Sequence, residues 1–153
     1  MKPISISEQL MYITVRIVTK NGSTGTGSFF EYSIDGKKIP IIITNKHVIN
    51  NNPDETISFY IHLLDAKDDP NDNLSIEMET HWNFHPSKDL CFCYAAKLFD
   101  EVRKRLGKKI FYHAVTPDLV PTAEKLLDLD AFEELVMIGY PIGLWDTRNN
   151  LPI

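Results

Sequence analysis

His47 is the residue in this chain whose setting most suggests chemistry. It follows an apolar run in Ile41-Ile42-Ile43-Thr44-Asn45-Lys46-His47-Val48-Ile49. An imidazole at a strand exit can act as a general base if a partner fixes its tautomer and a hydroxyl stands ready to be deprotonated. Asp89, in His85-Pro86-Ser87-Lys88-Asp89-Leu90, is the candidate partner. A carboxylate that accepts one ring N–H leaves the other ring nitrogen free as a base. A serine would complete a hydrolytic set. The eight serines are Ser5, Ser7, Ser23, Ser28, Ser33, Ser58, Ser75 and Ser87, and none lies in a Gly-rich turn that would expose a nucleophile beside backbone N–H donors. Cys91 and Cys93 lie in a strand-like segment and read as small core residues rather than nucleophiles. A zinc reading would draw on His81, His85, Cys91 and Cys93. The histidines are not on a helix and Cys-x-Cys is a poor chelating spacing, so neither a metal nor a cofactor is expected.

The elements that must position these groups read mostly as strands. Residues 11–19 alternate, with Ile13, Val15 and Ile17 on one face. Residues 26–34 form a second strand, entered through Gly25 and Gly27, and Asp35-Gly36 signals a hairpin. Residues 39–44 form a third, whose unbroken Ile run predicts burial on both faces at its centre. Residues 56–64 alternate, with Ile57, Phe59, Ile61 and Leu63 together; residues 74–82 turn Leu74, Ile76 and Met78 inward; residues 89–95 form a sixth strand. Six short strands with no helix between them indicate an antiparallel barrel or sandwich. The texture then changes. Residues 95–106 have helical spacing, with Leu98, Val102 and Leu106 on one stripe and Gly107 as a stop. Residues 122–135 predict a short helical turn capped by Asp128 or Asp130, and residues 135–138 one more strand, closed by Gly139-Tyr140-Pro141.

Taken in order, these segments resemble the trypsin-like serine peptidases. A buried strand, the polar pair Asn45-Lys46, His47 and then an aliphatic residue beginning one helical turn resembles that family's histidine motif. Gly25-Thr26-Gly27-Ser28-Phe29-Phe30 resembles the strand before it, His85-Pro86-Ser87-Lys88-Asp89-Leu90 the aspartate motif, and Val136-Met137-Ile138-Gly139-Tyr140-Pro141 the opening of the second barrel. The resemblance spans residues 12–141 and lies closest to disulfide-poor, intracellular-type bacterial members. It implies an all-β fold: a six-stranded antiparallel Greek-key barrel over residues 1–97, a partly helical connection over 98–134, and the start of a truncated second barrel over 135–153. It also implies that His47 is the general base and Asp89 its orienting partner. The nucleophilic serine and oxyanion hole would lie beyond this chain, which would be inactive alone. The expected partners are a peptide or protein substrate, and either a missing C-terminal half or a second copy joined through the last strand. The alternative is a non-catalytic β-barrel that binds peptides or proteins.

Composition narrows the field further. A net charge of -5 argues against a phosphate-backbone partner, and the one basic cluster, Arg103, Lys104, Arg105, Lys108 and Lys109, adjoins Asp100 and Glu101 as a solvated helix face would. No nucleic acid is expected. No stretch approaches the roughly 18 apolar residues of a membrane span. The first residues show no apolar signal region, and two unbridgeable cysteines suit a reducing cytoplasm.

Overall fold

The computed structural model describes residues 5–70, 72–130, 134–141 and 144–153. Its framework is a curled antiparallel sheet. The strands are β1 (Thr14–Thr19), β2 (Thr24–Ile34), β3 (Lys37–Thr44), β4 (Asp54–Leu63), β5 (Asp72–His81), β6 (Asn83–Phe84) and β7 (Cys91–Tyr94). They pair in the order β5-β4-β1-β2-β3-β7-β6. A further short strand, β8 (Ile110–Phe111), pairs with β4. Asp35 and Gly36 both take positive φ, as the tight turn between β2 and β3 requires. Only Trp82 separates β5 from β6, the two ends of the pairing order. Its backbone N–H donates to the Pro53 carbonyl at 2.7 Å. Between β5 and β7 a cleft of about 250 Å³ opens, lined by Met78, Thr80, Cys93, Tyr94, Lys97 and Leu98 among others.

Each of the six expected strands is present, with ends shifted by a few residues. The apolar alternation holds the core: Val15, Ile17, Ile57, Phe59, Ile61 and Leu63 are buried together with Ile42, Trp82 and Leu98, and Leu74 packs against them. Ile41 and Ile42 are adjacent on β3 and both buried, so the centre of that strand is covered on both faces. Helix α2 (Ala95–Leu106) follows β7 directly and ends at Gly107, whose φ is 65°. It packs Leu98 and Val102 into the core. Among the described residues no helix is long and apolar enough to cross a membrane.

Three expectations need correction. The first strand begins at Thr14 rather than at residue 11: Met11 ends a short helix, α1 (Ile6–Met11), started by a reciprocal cap between Ser5 and Glu8. A second short helix, α3 (Ala123–Leu127), is capped by Thr122 at its start, not by Asp128 or Asp130; residues 131–133 of that stretch lie outside the described residues. Residues 135–138 form no strand. Leu135, Val136 and Met137 are each more than four-fifths exposed, and the first backbone pairing beyond them joins Gly139 to Ile153. An apolar run of strand-forming residues becomes a strand only where a neighbour takes its N–H and C=O groups.

The final residues pack on the outer surface of the sheet. Tyr140 and Asn150 are buried. The Tyr140 N–H donates to Thr26 Oγ1 at 2.8 Å, and the Arg16 guanidinium lies over both the Tyr60 and Trp145 rings, 4.7 and 4.3 Å from their centres. His62, on the outward face of β4, is covered by this segment and donates from Nε2 to the Asn150 carbonyl at 2.9 Å. Burial pushes the His62 imidazole below its ordinary value, and the Asn150 bond opposes that shift. Undocking therefore favours proton uptake. Docking is at full strength above the ordinary histidine value of about 6.5 and weakens as pH falls below it. Trp145 emission should shift to the red on acidification from about pH 7.5 to about pH 5.5 in the native chain, and much less in His62→Gln. Acid-independent emission in the native chain would refute this linkage.

Candidate active site

The pairing of β3 with β7 is antiparallel and sets Thr44 opposite Cys91. The end of one strand therefore lies beside the start of the other, and the residues just outside both are brought together. On the β3 side, the Thr44 hydroxyl donates to the Thr26 carbonyl at 2.8 Å. Asn45 is extended, and Lys46–Ile49 form a single 3₁₀ turn closed by Asn50 in the left-handed region. Val48 and Ile49 are buried under this turn, which leaves His47 pointing outward. The seat for Val48 is Gly25. A Cβ there would lie 2.6 Å from both Val48 γ-carbons. Gly25 thus does more than open β2: it makes room for the turn bearing the histidine.

On the β7 side, residues 85–90 form a closed loop. The His85 N–H donates to the Leu90 carbonyl at 2.9 Å, and His85 Nδ1 accepts the N–H groups of Ser87 and Lys88 at 3.1 and 3.0 Å. Asp89 stands at the end of this loop. His47 Nδ1 and Asp89 Oδ2 are 2.5 Å apart, and the His47 backbone N–H donates to Asp89 Oδ1 at 3.2 Å. The Asn45 amide also reaches the Asp89 backbone carbonyl, at 2.7 Å. The His47 ring bond, foremost, holds the Asp89 carboxyl below the usual carboxylate range, and the backbone N–H groups of His47 and Lys46 add to it. The side chains remain open to solvent, 68% exposed for His47 and 51% for Asp89.

This arrangement has a definite chemical sense. A carboxylate on Nδ1 favours the neutral ring with its proton there, and leaves the Nε2 lone pair as a base. Among the described residues no serine hydroxyl hydrogen-bonds to Nε2. Ser23 donates to the Val48 carbonyl at 3.5 Å, Ser28 lies within β2 opposite Ile43, and Ser87 lies in the loop before Asp89. The structure therefore brings together the two residues singled out from the sequence and, among the described residues, bonds no serine to the free ring nitrogen.

The residues of the zinc reading go elsewhere. His81 ends β5 opposite Asp54 and approaches its carboxylate at 2.7 Å, His85 closes its own loop, and Cys91 and Cys93 are buried. Among the described residues no three metal-ligating side chains gather into one group. Burial, helped by the Asp89 charge, pushes the Cys91 thiol up to about 11, and burial raises Cys93 too, which makes both poor nucleophiles. His81 is thus a strand residue in a second His–Asp pair. Period-two alternation could have placed it on β5, but the Asp54 partner follows from register. Trp82 is part of the core, and Phe84 is part-exposed beneath the Lys46 ammonium, 5.3 Å from its ring centre. In the basic cluster, Arg105 pairs with Glu101, Arg103 with Asp100 and Lys108 with Asp72.

No family model, curated protein or solved structure matches this chain significantly.

Gly25→Ala should displace Val48 and tilt the turn that carries His47. The expected loss is about 1–3 kcal/mol by chemical denaturation, with amide shifts concentrated at residues 45–50 and 89. An unchanged spectrum around His47 would refute the packing argument.

Proposed function

We propose that this chain is the His-Asp portion of a trypsin-like serine endopeptidase, with the nucleophilic serine and its oxyanion donors supplied from outside the 153 residues. The observation that carries this reading is the 2.5 Å approach of Asp89 Oδ2 to His47 Nδ1, with Nε2 left on the open side. In this reading Nε2 takes the serine proton as the serine oxygen attacks the scissile carbonyl carbon. Asp89 stabilises the imidazolium, which returns the proton to the leaving amine; water then repeats the cycle on the acyl-enzyme.

The sheet supports the family reading. The order β4-β1-β2-β3 is that of a Greek key, in which the fourth strand returns to lie beside the first. Counting β5, Trp82 and β6 as one bent strand turns the pairing order into a six-membered ring. The dyad sits at the lip of that ring, on residues 1–97. Two apolar surfaces suit a nucleophile-bearing partner. One is the exposed run Leu135, Val136 and Met137. The other is a groove of about 350 Å³ beside Asp89, lined by Ile43, Phe84, Leu90 and Phe92 among others. Cover over the groove would shield the half-exposed Asp89, which a triad keeps buried. The free, buried thiols fit a reducing compartment such as the cytoplasm. A second reading, a peptide- or protein-binding barrel without catalysis, is favoured by the lack of any serine bonded to Nε2 among the described residues.

Fluorophosphonate labelling of the product of the whole reading frame separates the two. The endopeptidase reading predicts labelling of a serine outside this chain, a rate drop of about 10⁴-fold in Asp89→Asn, and near-complete loss in His47→Ala. Labelling indifferent to His47 would contradict the reading, and a folded, unlabelled product that still captures peptides would establish the binding module.

A further inference from the structure

Asn45 occupies the N-cap position of the turn that bears His47, where an asparagine side-chain oxygen ordinarily accepts a hydrogen bond from its own turn. Its side chain makes no such cap bond. It instead crosses to the neighbouring chain segment and donates from Nδ2 to the Asp89 backbone carbonyl at 2.7 Å. A carbonyl only accepts, so a donor is needed at this point; an ionised aspartate has none, and a serine or threonine hydroxyl is too short to reach it.

The internal bonds of the 85–90 loop give it shape but do not tie it to β3. His85 holds the N–H groups of Ser87 and Lys88, and its own N–H meets Leu90, all within the loop. The ties across to the His47 turn are the bonds to the Asp89 carboxylate and the bond from Asn45 to the Asp89 main chain. All of these bonds are open to solvent, and the first set depends in addition on the rotamer of the Asp89 side chain. The Asn45 bond grips backbone, so it fixes where the Asp89 side chain is rooted whatever its rotamer.

We propose that Asn45 is a positioning residue: its amide clamps the Asp89 backbone so that the carboxylate meets the His47 ring and backbone N–H groups together. This rests on reading His47 and Asp89 as a catalytic pair. Asn45 acts on the proton-accepting nitrogen only through Asp89 and touches no reacting atom.

The test uses Asn45→Ser, which keeps N-cap chemistry but falls short of Asp89, alongside Asn45→Ala and the control His47→Ala. Two readouts are the carboxyl ¹³C titration of Asp89 and, at neutral pH, the share of His47 rings protonated at Nδ1 in long-range ¹⁵N–¹H spectra. In the native chain Asp89 titrates below the ordinary carboxylate value. Both Asn45 variants should move that midpoint up, and should lower the Nδ1-protonated share, with serine no better than alanine. Rescue by serine would mean that Asn45 is only a cap and would overturn the proposal. So would native values in both variants while His47→Ala still raises the Asp89 midpoint. If His47→Ala leaves that midpoint unmoved, the catalytic-pair reading itself fails. Should acid unfold a variant, the neutral-pH readout decides alone.

Discussion

The antiparallel pairing of β3 with β7 is the constraint on which the site depends. Thr44 faces Cys91 in that ladder, so the first residues past one strand and the last residues before the other share one edge of the sheet. Nothing in the spacing between His47 and Asp89 would bring them together without it. The ladder is itself secured by burial, with Ile42, Cys91 and Cys93 inside the core and Ile41 covered on the opposite face. The site is a by-product of a register that a one-residue slip would destroy, because such a slip would turn the buried face of β7 outward.

Little of the molecule's stability resides in the pair that the ladder creates. His47 and Asp89 are exposed, and ion pairs open to solvent add little to a fold. Their geometry is nevertheless held at several points: two N–H groups of His47 on the carboxylate, Asn45 on the Asp89 backbone, and Val48 seated against Gly25 beneath the turn. Bonds that fix an orientation without much stabilising the fold are what a proton-transfer site needs, since efficiency there depends on alignment. His81 and Asp54 make a similar contact across β4 and β5, but on regular strands and without a supporting loop. Their pairing is a cross-strand polar contact of the ordinary kind.

The strands were legible in the sequence because alternation is a local property. Ile57, Phe59, Ile61 and Leu63 declare their face without reference to any other segment, and all four are buried. Helix α2 was legible to the residue for the same reason, with its apolar stripe and a glycine stop. What depends on a distant neighbour was not. The run at residues 135–138 has strand composition but no strand beside it, so it stays unpaired. The start of β1 was read too early because Met11 to Ile13 extend its alternation backwards; helix α1, which ends at Met11, was not foreseen, although its Ser5–Glu8 cap is readable. The meeting of His47 with Asp89 came from likeness of segments to a family, not from spacing. The Asn45 clamp was invisible, since an asparagine before a turn reads as a cap.

The account stands on a proton held between His47 and Asp89 at the edge of a curled sheet. Neutron diffraction from crystals grown near neutral pH would observe it directly. The account predicts hydrogen-bond contact between the two side chains, a deuterium on Nδ1 facing Asp89, and bare density at Nε2. A deuterium on Nε2 with Nδ1 bare, or side chains turned away from each other, would contradict it.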